Sequence, residues 1–335
     1  MEDWQKLLKF DPLPQLLSSK NVAIVFFANR DLLDITEGSV ETLWKYPPTT
    51  EMLKRQQDDG SWRYPGANLN IRSRANYDQL ETYRLLGELV EKYGFNTNHP
   101  AARKAAEFLF RFQTDEGDSR GIYGNQYTPN YTAGIMELLV KLGYENDPRI
   151  EKGFQWLLSI RQHDGGWAIP IRTRNLKLNV VSLETETVQP DLSRPFSHLV
   201  TGVVLRAFAA SKMYRKTSST KAAGMLLASR FFKRDSYPDR GTPEFWTKFT
   251  YPFWFTDLLS SLDSLSFLGF TLDDAEVKTA VEWFLRKQQK NGLWNLCLLK
   301  GAKEKDMNLW ICLAICRVIK RFMQKFEVGN KLVAH

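Results

Sequence analysis

A unit of about fifty residues recurs along this chain with its own punctuation, and it limits the fold before any other feature is read. Gly94-Phe95, Gly143-Tyr144 and Gly269-Phe270 each close one helical run. An Asn- or Asp-rich turn follows, and a second helix opens at His99-Pro100, Asp147-Pro148 or Asp274-Ala275. Thirteen residues after Pro100, Pro148 and Ala275 stand Gln113, Arg161 and Gln288, and four residues further come Gly117, Gly165 and Gly292. Tryptophan follows in two copies, as Trp167 and Trp294, and another copy of the ending runs from Gln56 through Gly60 to Trp62. A single hairpin of this kind cannot bury its apolar face alone, so the repeat predicts stacked helical hairpins.

Between the punctuation marks two kinds of helix alternate. Asp147 to Arg161 and Asp274 to Gln289 are amphipathic, with apolar residues at three- and four-residue steps. Asp147 before Pro148 reads as an N-cap with proline at the first helical position, and Asp273 with Glu276 has the spacing of a capping box. Ser197 to Ser211, Thr256 to Gly269 and Trp310 to Ile319 are apolar nearly all round, which suits helices buried on every side. The alternation predicts an all-α fold of two layers, with the apolar helices inside. Five inner helices are expected to begin near Tyr77, Asn130, Ser197, Pro252 and Asn308, with a degenerate outer partner at Thr220 to Phe232. Helical material in Val22 to Trp44 and Thr50 to Arg55 supplies a further hairpin. Five to six hairpins turning one way would close into an α/α toroid, although an open solenoid has the same sequence signature. No Pro/Gly/Ser-rich linker splits the chain, so a single domain over 1–335 is expected: an N-terminal helical segment (1–48), a repeat ring (49–325) and a C-terminal tail (326–335). The irregular stretch from Ile171 to Pro195 is long for a plain connection and reads as a lid or rim loop.

Composition narrows the function classes. With 43% apolar residues, ten tryptophans and 21 phenylalanines, there is enough aromatic material to line a cavity as well as fill a core. The net charge of +8 is spread along the chain, without the basic stripe interleaved with exposed aromatics that nucleic-acid binding requires. It is compatible with a solvated surface, and with peripheral contact to anionic membranes or diphosphate-bearing ligands. Cys297, Cys312 and Cys316 include no CxxC pair, Met1-Glu2-Asp3-Trp4 has no apolar leader, and no uncharged run is long enough to span a bilayer. A cytoplasmic protein, membrane-associated at most, is the expectation.

The repeat endings resemble the QW motif of triterpene cyclases. One copy comprises Lys152-Gly153, Trp156-Leu157, Arg161, Gly165 and Trp167, with Arg where the motif has Gln. A second comprises Ala280, Trp283, Gln288, Gly292 and Trp294; a third, Lys104-Ala105, Phe108-Leu109, Gln113 and Gly117, lacks the final Trp; and Gln56, Gly60 and Trp62 keep only the end. The sequence thus looks like the terpenoid cyclase/protein prenyltransferase superfamily, and the resemblance implies an α/α toroid with an apolar or isoprenoid-like ligand. It also implies that the motif is structural, its glutamine tying the end of an outer helix to the start of the next helix. Helix ends leave carbonyls that a side-chain amide can satisfy.

The reactive motifs of such proteins are missing. There is no Asp-x-Asp-Asp to hold a neutral, strongly acidic carboxyl, and no Asp-Asp-x-x-Asp for magnesium and a diphosphate. Asp58-Asp59 and Asp273-Asp274 are accounted for by turn and cap chemistry. Asp257, His198 and Cys297 have no spacing that supports a zinc site, so neither a metal nor another cofactor is expected. What remains is a set of polar and aromatic residues at the starts of the inner helices, where a toroid opens. Tyr77, Asp78, Glu81, Asn130, Tyr131, Thr132, Thr201, Trp254, Asp306 and Trp310 are the candidates for a cavity wall, with Arg72 and Arg74 placed to meet an anionic head group. Asp257, inside the apolar run FWFTDLLSSL, is the leading catalytic candidate, because a carboxylate there needs a partner or a raised pKa; His198 is the next. The alternative is a helical-repeat scaffold or binding protein that keeps the toroid without the chemistry.

Overall fold

The computed structural model describes residues 3–66, 73–176, 186–299 and 305–333, with 325–333 as backbone alone. Its helices, in chain order, are α1 (Leu13–Leu17), α2 (Val22–Leu32), α3 (Pro47–Leu53), α4 (Arg74–Tyr93), α5 (Pro100–Phe110), α6 (Pro129–Leu139), α7 (Pro148–Ser159), α8 (Pro170–Thr173), α9 (His198–Ala210), α10 (Ser218–Ala228), α11 (Leu258–Phe267), α12 (Ala275–Lys287) and α13 (Met307–Val333). Lys248–Phe249 and Cys297–Leu298 form a parallel two-residue ladder, β1 with β2. Among the described residues nothing else is a named strand, and the fold is all-α.

The ring closes. Helix α4 packs on α6, α6 on α9, α9 on α11, α11 on α13, α13 on α2, and α2 returns to α4. Helices α3 and α5 lie outside α4, α7 outside α6, α10 outside α9, α12 outside α11, and α1 outside α2. Among the described residues the inner helices are therefore six, and the sixth is α2, from the segment expected to supply a further hairpin. The division follows composition. On α9 every residue from His198 to Ala209 is buried, whereas α7 buries Ile150, Gly153, Phe154, Trp156 and Leu157 on one side only. Caps set the starts: Asp147 accepts from the Arg149 amide at 2.9 Å, and Asp257 forms a reciprocal capping box with Ser260. The expected capping box at Asp273 and Glu276 is absent. Asp274 is the N-cap of α12, and its carboxylate turns back to accept from the Thr271 amide at 2.7 Å.

The repeat endings act as the fasteners. Gln56 donates through Nε2 to Gly60 O and Ala101 O, both at 2.9 Å; Gln113 does the same to Gly117 O (2.9 Å) and Arg149 O (2.7 Å). Gln288 completes the circle, donating to Gly292 O at 3.1 Å and Phe10 O at 2.8 Å while accepting from the Lys9 and Phe10 amides. Trp62, Trp167 and Trp294 donate through Nε1 to Met52 O, Leu157 O and Phe284 O. The glycines are obligatory here. Gly60 and Gly117 have φ of +91° and +109°, and a Cβ on either would sit 2.3 or 2.5 Å from the carbonyl of Lys104 or Lys152. In the copy with Arg161, the neighbouring Gln162 bonds instead to Asp191 O and Arg194 O, both at 2.9 Å. This ties down the end of the Ile171 to Pro195 stretch, whose Val188 amide also donates to Gln126 Oε1. Residues 177–185 of that stretch lie outside the described residues.

Candidate functional site

One segment divides the middle of the ring. Tyr251 to Phe255 leads into the α11 cap, sending Tyr251 and Phe253 toward one mouth and Trp254 and Phe255 toward the other. Trp254 reaches α4 where Gly87 leaves room, since a Cβ there would lie 2.7 Å from the indole. Tyr83 stands edge-on to Trp254 with ring centres 5.6 Å apart, and its hydroxyl fits against Gly134. Only about 20 Å³ is left between these rings and Glu137. The two aromatics form a floor.

Above it lies a cavity of about 480 Å³. Its aromatic wall is Tyr83, Tyr123, Tyr131, Trp254 and Phe255, its apolar wall Leu80, Ile169, Leu199 and Val203, and its polar groups are Arg84, Asn130, Asp239 and Arg240. Tyr123 and Tyr131 meet with ring centres 5.5 Å apart. Asn130 Oδ1 is buried without a hydrogen-bond partner. Asp239 is gripped by the guanidinium of Arg172, and Arg84 pairs with Glu81 at 2.8 Å. Arg240 instead lies over the rings of Phe255 (3.7 Å) and Phe245 (5.3 Å), and burial pulls its pKa below the ordinary arginine value.

Of the residues singled out from sequence, Asn130, Tyr131 and Trp254 line this cavity and the rest do not. Tyr77, Asp78 and Glu81 lie on the far side of α4: Tyr77 stacks on Tyr64 (4.8 Å), Asp78 accepts from the Tyr64 amide, and Glu81 pairs with Arg84. The cavity side of α4 is the stripe Leu80, Tyr83 and Arg84, at the helical step. Arg74 also turns to the 62–66 segment, donating to Tyr64 O, and Arg72 lies outside the described residues. Thr132 and Thr201 are structural, accepting from the amides of Ser119 and Trp167 as Thr82 does from Trp62. Trp310 is wholly buried, stacked on Tyr251 with ring centres 5.6 Å apart, because an all-apolar helix start packs into the core.

Asp257 is buried but does not face the cavity. Its Oδ1 accepts from the Ser260 amide at 2.8 Å, and burial pushes its carboxyl up to about 7 against the opposing pull of Ser260 and Arg206. Arg206 lies beneath the cavity floor, donating to Glu137 at 3.0 Å and Phe255 O at 3.3 Å. Burial would raise the pKa of Glu137, but Arg206 and Lys141 hold it below the ordinary value. His198 packs at a tilt against Trp246 (ring centres 4.5 Å apart), with Asp235 3.6 Å away; burial lowers its pKa while Asp235 opposes the shift. Asp235 also accepts from Ser197 Oγ and the Leu199 amide, so it anchors the start of α9. Sequence reading missed Tyr83, Arg84, Tyr123, Asp239 and Arg240. The first two were accessible from the stripe one turn into α4; the others come from loops, which carry no period.

The opposite mouth holds a larger hollow of about 720 Å³. Its cations have carboxylate partners: Arg30 and Arg317 on Asp31, Lys320 on Asp34, Lys141 on Glu91 and Arg321 on Asp263. Among the described residues no group of three His, Cys, Asp or Glu side chains is placed to hold a metal, and no helix is long and apolar enough to cross a membrane.

Residues 79–187 match the family model of the squalene-hopene cyclase C-terminal domain. No curated protein matches the chain. Similar solved structures include a polysaccharide lyase (12% identity, TM-score 0.48, covering 91% of this chain and 90% of that one). An α-amylase from Clostridium perfringens gives 13% identity and a TM-score of 0.44, covering 89% and 85%. The type II terpene cyclase MstE from Scytonema, as a variant in complex with its substrate geranylgeranyl dihydroxybenzoate, gives 14% and 0.36, covering 85% and 97%. The matched family segment runs from within α4 through α8, and with it come Leu80, Tyr83, Arg84, Tyr123, Asn130, Tyr131 and Ile169 of the cavity. Over residues 79–187 the chain is therefore similar to the squalene-hopene cyclase C-terminal domain, on an all-α fold whose repeat junctions fasten a closed ring.

Proposed function

We propose that the protein binds or converts an isoprenoid or similar apolar molecule in the cavity bounded by Tyr83, Tyr131, Trp254 and Arg240. The observation that carries this reading is the cavity itself: about 480 Å³, within the range of small-molecule sites, walled by five aromatic and four aliphatic side chains with few polar groups. The resemblance to squalene-hopene cyclases over the segment that supplies half of the wall favours an isoprenoid body. Cyclisation started by alkene protonation is not part of the proposal. The sequence has no Asp-x-Asp-Asp, and Asp257, whose raised pKa would suit an acid, is committed to its capping box behind Phe255. We read Asp257 and His198 as groups that position the cavity walls.

A scaffold reading draws on the filled ring centre, where Tyr83 and Trp254 meet. Native mass spectrometry of the protein purified from its source separates the two. A co-purifying apolar molecule, lost in Val203→Trp with the melting temperature kept, is the expected result. Protein without ligand, or ligand retained in Val203→Trp, would favour the scaffold. Squalene turnover by the purified protein would overturn the exclusion of protonation chemistry.

A further inference from the structure

Resting on that reading of the cavity, we propose that its ligand is an amphiphile with one oxyanion head, a carboxylate or a phosphate, seated on Arg240. Three charged side chains line the wall, and two of them are already answered within the protein: Asp239 by Arg172, Arg84 by Glu81. Arg240 alone has no carboxylate among the described residues. A guanidinium held against aromatic rings rather than by a carboxylate keeps N–H donors for a planar or tetrahedral oxyanion. The surplus is one positive charge, so the complement is one negative charge.

The backbone fixes that guanidinium. Arg240 has φ of +47°, a region side chains other than glycine seldom adopt. The turn holding it is closed by a bond from the Asp235 amide to Gly241 O at 2.7 Å, and Asp235 is bonded to the start of α9. A conformation kept against its intrinsic cost, with the side chain presented to a cavity, is a common mark of a ligand clamp. Asn130 adds an independent point, since its buried Oδ1 lacks a donor. It would accept from a hydroxyl on the ligand; with the amide turned over, it would give the oxyanion a second N–H. The opposite mouth has more cations and a larger hollow, yet each of those cations already has a carboxylate.

The test is calorimetric titration of the full chain with geranylgeranoic acid, geranylgeranyl monophosphate, geranylgeraniol, and acetate and phosphate without a tail. Charge-assisted hydrogen bonds contribute about 1.5–3 kcal/mol, so at least one anionic amphiphile should bind about 10- to 100-fold tighter than the alcohol. The stronger of acid and phosphate identifies the head, and the tailless anions should bind far more weakly than either. Arg240→Gln should bring the preferred anion down to the alcohol's affinity and leave the alcohol unchanged; Arg240→Lys, which retains the charge and guards against a folding artefact, should restore part of the preference. Equal binding of alcohol and anions, or a preference that survives Arg240→Gln, would overturn the oxyanion seat and leave the apolar cavity standing. Binding of none of the amphiphiles would overturn both. Tailless phosphate binding as tightly as its lipid form would show an anion site without an amphiphile.

Discussion

The two mouths of this ring differ in a way their sizes do not foretell. The larger hollow, about 720 Å³, is bordered by cations that all have carboxylates, and the smaller, about 480 Å³, carries aromatic walls and one arginine without any. Cross-linking inner helices through ion pairs uses up their capacity to recognise anything else. A cation held by aromatic faces keeps that capacity. In this molecule uncompensated chemistry, rather than volume, singles out the proposed binding end.

The comparison presumes an intact ring, and the largest effect expected tests that. Trp167→Ala and Trp294→Ala each remove a buried indole bonded to a carbonyl in its own junction, and should cost about 3–5 kcal/mol in denaturant unfolding. Unchanged melts in both would break the fastener account.

Arg317→Met then probes the paired mouth. Burial works against the charge of Arg317, yet Tyr251 and Asp31 hold its pKa above the ordinary value. Its removal leaves Asp31 with Arg30 alone and takes a donor from the Tyr251 hydroxyl, at an expected cost of about 1.5–3 kcal/mol, while amphiphile affinity stays unchanged. A loss of binding with little loss of stability would reverse the assignment of the two ends.

Asp257→Asn addresses the wall between them. The folded carboxyl is pushed up to about 7 and the unfolded one titrates near 3.9, so the folded state retains a proton that the unfolded state releases in that interval. The wild type should therefore lose stability as pH rises from about 4 to about 7, by about 4 kcal/mol from this group. Asparagine can still cap and does not titrate, so melts across that range should show a flatter profile for the variant. Identical profiles would mean that Asp257 is ionised in the fold.

The smallest effect expected is at the cavity rim. Arg84→Gln removes the charge from a pair whose arginine is 47% exposed but keeps an N–H donor for the buried Glu81, and should change stability by about 1 kcal/mol. Anion binding should fall far less than in Arg240→Gln; an equal fall would move the oxyanion seat to the rim.

The ring and its fasteners were legible because they recur: Gln113, Gly117 and Trp294 carry their meaning in spacing. Closure was not, since the contact of Gln288 with Phe10 joins residues 278 positions apart and leaves no period to read. The cavity was half legible. Asn130 and Tyr131 follow from being at the start of an inner helix, and Trp254 from lying just before one. Tyr77, Asp78 and Glu81 satisfy the same rule and face the other way, because position along a helix fixes height in the ring, while the 100° turn per residue fixes direction. Arg240 sits in a loop whose only sequence trace is a following glycine. Asp257 was rightly marked as a buried carboxylate, but burial does not distinguish a cap from an acid.

A linear stack of repeats can unravel from either end, because each terminal unit has a neighbour on one side only. The grip of Gln288 on Lys9 and Phe10 removes that asymmetry. With the first and last described hairpins fastened to each other, the ring should unfold as one unit, and a breach at any single seam would be felt all the way round.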